Sequence, residues 1–103
     1  MASRVEVATV GELSDGDMKA VEVGDRTIVV LSVAGDLFAI DDECTHEGCS
    51  LSDGDLEGDE LSCLCHGSVF NVRTGEVLQG PAEEPVPTYA LHVDGETVYT
   101  EHG

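Results

Sequence analysis

Two short strings in this chain, Cys44-Thr45-His46 and Cys63-Leu64-Cys65-His66, each set a thiolate beside an imidazole, with the sixteen residues 47–62 between them. All four cysteines and two of the four histidines fall between positions 44 and 66. Chance rarely gathers every cysteine into two boxes that each hold a histidine. The pattern points to a metal centre with two sulfur and two nitrogen ligands. The rest of the chain offers no competing chemistry: it has neither a nucleophile–base motif nor a phosphate-binding glycine loop.

A set of two Cys and two His suits zinc or an iron–sulfur cluster. Zinc fingers usually pair like with like, as C-x₂-C and H-x₃₋₅-H. Here each box mixes the two ligand types, as C-x-H and C-x-x-H. Mixed boxes suit a binuclear site in which one iron takes both thiolates and the other both imidazoles, the Rieske arrangement.

Cys44-Thr-His-Glu-Gly-Cys49 and Cys63-Leu-Cys-His-Gly-Ser68 resemble the two boxes of Rieske-type [2Fe-2S] ferredoxins, and the resemblance extends over nearly the whole chain. It implies one Rieske [2Fe-2S] cluster per chain. Cys44 and Cys63 would bind the inner iron. His46 and His66 would bind the outer iron, with their far ring nitrogens near solvent. Cys49 and Cys65 match positions that form a disulfide between the cluster loops in the high-potential branch of the family; two free thiols are the alternative in a reducing cytosol. Ser68 matches a serine whose hydroxyl donates to a bridging sulfide, a bond that favours the reduced cluster. The same branch carries a tyrosine two residues further on, where this chain has Phe70. With that donor missing and the protein strongly negative, the expected potential lies within the Rieske range of about −150 to +300 mV but not at its top. Gly80-Pro81-Ala82 resembles the start of the loop that covers the cluster in this family.

The elements that must position these boxes read as short strands. Val5-Glu6-Val7 opens one strand, and Ala20-Val21-Glu22-Val23 runs to a turn at Gly24-Asp25. Thr27 to Val33 is a run of β-branched and apolar residues, followed by Gly35-Asp36 and Leu37-Phe38-Ala39-Ile40. Ala90-Leu91-His92-Val93, Asp94-Gly95 and Thr97-Val98-Tyr99-Thr100 read as a hairpin. Only Val10 to Lys19 has weak helical or turn-like character. The expected class is all-β, an antiparallel sandwich or barrel. Residues 41–87, rich in Gly, Asp, Cys and Pro, read as a cluster-binding subdomain inserted into a framework of about 1–40 and 88–103. Gly48, Gly67 and Gly75 are expected to serve tight backbone turns. His92 and His102 stand alone and read as surface or packing residues.

At 103 residues this is one small domain. Its 22 acids against four Lys and Arg give a formal charge of −18 at pH 7. Nucleic acid and anionic membrane surfaces are repelled by such a chain, so both partner classes drop out. The acidity suits either a salty cytoplasm or steering toward a partner with a basic patch. Asp53, Asp55, Glu57, Asp59 and Glu60 lack the spacing of a calcium loop and read as a solvated acidic face. The N-terminal residues lack a basic and then apolar leader pattern. The longest strongly apolar stretch, Ile28 to Leu31, is far short of the ~18–20 residues that span a bilayer. The expectation is a cytoplasmic monomer.

A coordinatively saturated cluster of this type carries electrons and binds no substrate. The resemblance therefore implies an electron-transfer protein rather than an enzyme. It would shuttle single electrons from an NAD(P)H-dependent flavin reductase to a terminal oxygenase of aromatic hydrocarbon catabolism. The alternatives are a small Rieske subunit held permanently in a larger oxidoreductase, and a zinc-stabilised interaction module.

Overall fold

The computed structural model describes residues 3–43, 49–64, 67–80 and 82–102. Its elements in chain order are β1 (Ser3–Thr9), β2 (Met18–Val23), β3 (Arg26–Val33), β4 (Asp36–Asp41), a 3₁₀ turn (Leu51–Asp53), β5 (Asp55–Glu57), β6 (Glu60–Ser62), β7 (Val69–Asn71), β8 (Val77–Gln79), β9 (Thr88–Tyr89), β10 (Leu91–Asp94) and β11 (Thr97–His102). Among the described residues they form three sheets, ordered β1-β11-β10, β2-β3-β4-β9 and β5-β6-β7-β8, with antiparallel pairing throughout. The fold is all-β, as the sequence predicts. Val10 to Asp17 forms turns, and Met18 and Lys19 already belong to β2.

β3 explains the layering. Ile28 through Val33 are all buried, because this strand carries a core on each face. Alternate side chains point opposite ways. Ile28 and Val30 therefore join Val7, Ala8, Val23, Ala39 and Val98 in one cluster, shared with the β1-β11-β10 sheet. Val29, Leu31 and Val33 join Ile40, Leu51, Leu61, Cys63, Phe70, Val72, Ala82 and Val86 in the other. The sheet holding β3 is thus the middle layer. The third sheet, β5–β8, falls inside residues 41–87, where sequence patterning pointed to no strands.

The turns follow local chemistry. Between β3 and β4, Ala34 and Gly35 both lie in the left-handed region (φ 52° and 88°), the geometry that closes two-residue hairpins. Ala34 is held there by Asp15, whose Oδ1 accepts its N–H at 2.8 Å. The β7–β8 turn is tied to the middle sheet by Arg73. Its guanidinium stacks 4.9 Å from the Phe38 ring centroid on β4 and pairs with Asp59 at 3.4 Å.

Candidate metal centre

The first box leaves the end of β4 through a closed neck. Asp42 makes that neck. Its N–H donates to the Thr27 carbonyl at 3.0 Å, and its own carbonyl accepts the Leu51 N–H at 2.6 Å. Its carboxylate Oδ1 accepts the Ser52 N–H at 2.8 Å. Glu43 and Ser50 form a bridge just beyond it. Asp42 is buried, and the Ser52 N–H gives its carboxylate a partner that offsets part of the cost of burial. Leu51, fully buried, anchors the return of the loop in the core beneath β3.

The second box sits on the β6–β7 hairpin. The Cys63 N–H donates to the Ser68 carbonyl at 2.7 Å, and the Gly67 N–H donates to the Cys63 carbonyl at 3.1 Å. Gly67 adopts φ +77°, which a side chain would resist. Cys63 and Ser68 thus face each other at the base of a tight loop. Both are buried, at 3% and 1% exposure, while Leu64 next to Cys63 is exposed. Cys49 is half-buried and packs against the core that holds Cys63. The fold therefore brings the end of one box and the start of the other onto one apolar core. Cys44, His46, Cys65 and His66 lie outside the described residues, as do Gly48 and Pro81.

A third segment, residues 82–87, is fastened to the same place. The Ala82 N–H donates to Ser68 Oγ at 3.0 Å. The Val86 N–H donates to the Gly75 carbonyl at 2.9 Å, and the Asp41 N–H donates to the Pro87 carbonyl at 2.9 Å. Ala82 and Val86 are both buried in the core that contains Cys63. Gly75 has φ +82°, and a Cβ there would sit 2.2 Å from the Val86 carbonyl oxygen, so only glycine fits. Phe70 is fully buried opposite Leu61 and serves as a core side chain.

Residues 3–90 match the family defined by the Rieske [2Fe-2S] domain. The chain belongs to the Rieske [2Fe-2S] family. This Rieske protein is 35% identical to the ferredoxin component of biphenyl 2,3-dioxygenase from Rhodococcus jostii, over 93% of its own length and 90% of the relative's. It is 33% identical to the ferredoxin component of the naphthalene 1,2-dioxygenase system from Pseudomonas aeruginosa, over 91% and 90%. Among solved structures it matches the Sphingomonas yanoikuyae B1 ferredoxin with a TM-score of 0.92 and 27% identity, covering 98% of this chain and 100% of that one. A chain in the complex of reduced oxygenase and oxidized ferredoxin of carbazole 1,9a-dioxygenase matches with a TM-score of 0.89 and 33% identity, over 93% and 99%.

The described part of the site fits the cluster the family carries. A buried thiol, Cys63, suits ligation to an iron on the protein side. The Ser68 hydroxyl oxygen accepts from Ala82, and among the described residues none accepts its proton. A donor left over in a buried loop beside a ligand cysteine suits a sulfide acceptor.

The acidic run between the boxes is mostly solvated: Asp53, Asp55, Glu57 and Glu60 are exposed. Asp59 departs from that reading, being half-buried with its carboxylate on Arg73 and its carbonyl on the Val72 N–H. Among the described residues no three or more of His, Cys, Asp and Glu converge. His92 is exposed on β10, in the sheet on the far side of the middle layer. Asp42 and the Ala82 N–H escaped sequence reasoning. An Asp pair before a Cys box looks like any acidic turn, and a backbone donor carries no residue-type signal.

Proposed function

We propose that this Rieske protein is the ferredoxin component of an aromatic-ring dioxygenase system, carrying single electrons from an NAD(P)H-dependent flavin reductase to a terminal oxygenase. One observation carries the reading: the chain covers nine-tenths of the length of relatives that are themselves named ferredoxin components. The cluster, when bound, supplies a one-electron couple.

The residues would divide the work as follows. Cys44 and Cys63 hold the iron on the protein side, and His46 and His66 hold the outer iron and provide the exit for the electron. Ser68 supplies a hydrogen bond to the cluster. Cys49 and Cys65 join the two boxes covalently. Residues 41–87 act as the cluster-binding subdomain on a framework of 1–40 and 88–103. The chain works as a monomer in the cytoplasm. Among the described residues no helix is long and apolar enough to cross a membrane.

Electrostatics support a transient, steered encounter. All four basic side chains are engaged within the chain: Arg4 with Tyr99, Lys19 with Glu12, Arg26 with Tyr89, and Arg73 with Asp59 and Phe38. The 22 acids are left to dominate the outer field, so the partner surface must be basic. Leu64, exposed beside Cys63, offers an apolar contact at the edge of the site.

The test is anaerobic mixing of the reduced holoprotein with the oxidised oxygenase component of an aromatic dioxygenase, followed by stopped-flow absorbance. The expected result is reoxidation of this chain at a rate that falls as salt rises. Absence of transfer to any such oxygenase overturns the assignment. A colourless protein carrying stoichiometric zinc overturns the cluster as well.

A further inference from the structure

We propose that Ser68 is the latch of the 82–87 segment, and that the Ala82 N–H in turn sets the direction in which the Ser68 hydroxyl donates. This positioning role rests on the Rieske reading and goes beyond it.

Three observations combine. First, the Ser68 Oγ receives the Ala82 N–H at 3.0 Å while both residues are almost completely buried, at 1% and 4% exposure. No solvent competes for that oxygen. Second, the far end of the segment is held by backbone bonds, Val86 to Gly75 and Asp41 to Pro87, and by burial of the Val86 side chain. At its near end the Ala82 N–H is held by a side chain, the Ser68 hydroxyl oxygen. Glu83, Glu84 and Pro85, between the two buried plugs Ala82 and Val86, are exposed. Third, a hydroxyl whose oxygen faces an incoming N–H must turn its own proton elsewhere. Among the described residues nothing accepts that proton. The N–H of the covering segment thus commits the Ser68 proton toward the interior of the loop that starts at Cys63. One side chain couples closure of the segment to the donor that tunes the cluster.

Hydrogen–deuterium exchange read by mass spectrometry on the holoprotein tests the latch. The substitution Ser68→Ala should speed exchange in the peptide spanning 82–87 by roughly three- to tenfold, the loss of about one net hydrogen bond. Exchange in the β10–β11 hairpin should not change. Ser68→Thr, which keeps the hydroxyl, should restore slow exchange. Ala82→Gly keeps the N–H while removing the methyl plug, and should leave the segment closed relative to Ser68→Ala. The potential supplies the readout that packing alone would not move. Ala82→Pro removes the N–H but not Ser68, and should lower the midpoint in the same direction as Ser68→Ala.

Unchanged exchange at 82–87 in Ser68→Ala, or acceleration spread evenly over the molecule, overturns the latch. An unchanged midpoint in Ala82→Pro holoprotein overturns the coupling; should that variant fail to fold, an unchanged midpoint in Ser68→Ala does the same. Failure of the cluster assignment would register separately, as a missing visible spectrum in the unsubstituted protein.

Discussion

The two faces of β3 support different kinds of structure. On one face, Ile28 and Val30 meet Val7, Ala8, Val23, Ala39 and Val98, and strand pairing satisfies the backbone around them. On the other, Val29, Leu31 and Val33 meet a core that includes Cys63, Phe70 and Ala82, beneath the short strands β5–β8 and the loops that leave them. There the loop backbone is closed by individual residues: Asp42 at one box, Ser68 and Gly67 at the other, Gly75 at the covering segment. Aliphatic burial suffices to hold a framework. A metal centre needs its ligands at set positions, and non-directional burial cannot supply that.

Paired truncations test this difference most severely. Phe70→Ala should cost about 3–5 kcal/mol and reduce cluster content in the purified protein. Ile28→Ala should cost about 2–5 kcal/mol while leaving the visible spectrum of the folded fraction unchanged. Denaturant unfolding with absorbance spectra separates the two. Equal cluster loss in both would mean that the cores are not distinct in function.

Asp42→Ala comes next, at about 1–3 kcal/mol, because it leaves the half-buried Ser52 N–H without its acceptor. The loss should show as faster release of iron on warming, with β10 and β11 still protected from exchange. Uniform loosening of the whole chain would contradict the local role.

Asp41 gives a smaller, pH-dependent effect. Burial raises its carboxyl above the ordinary value, opposed by the Arg26 guanidinium and helped by the Glu43 charge. The folded chain therefore binds this proton more tightly than the unfolded chain does. Asp41 costs no stability below the ordinary carboxylate pKa, and its cost grows as pH rises through the raised folded value. Asp41→Asn should be more stable than the parent at pH 7, and the advantage should vanish toward pH 3. Thermal melts of both proteins across that range would show it; an advantage that persists at low pH would point to another cause.

The smallest effect belongs to the framework side. Ala34→Gly relieves a left-handed alanine, worth about 1–2 kcal/mol. It also adds unfolded-chain entropy of about 0.4–1 kcal/mol. A net gain under about 1 kcal/mol is expected in denaturant titration, with the cluster spectrum unaltered.

Much of this was legible in the chain itself. Period-two alternation marks β1, β2, β10 and β11, and the continuous apolar run at Thr27–Val33 marks a strand buried on both faces, because each face needs its own core. The boxes identify the chemistry, since thiolate and imidazole are ligands by residue type wherever the chain places them. Strands β5–β8 were not legible: at three residues each they are too short for a period to register, and tertiary pairing makes them.

Residue types and their spacing along the chain therefore determined the cofactor class, the all-β fold and the acidic field. The tertiary structure alone decided how the site is held. The N–H of Ala82 meets the hydroxyl of Ser68, fourteen positions earlier. The acid at 42 closes a neck, while the acid at 59 pairs with an arginine. Such pairings depend on which surfaces the packed sheets bring within 3 Å of each other, a property of the assembled layers and of no local run of sequence.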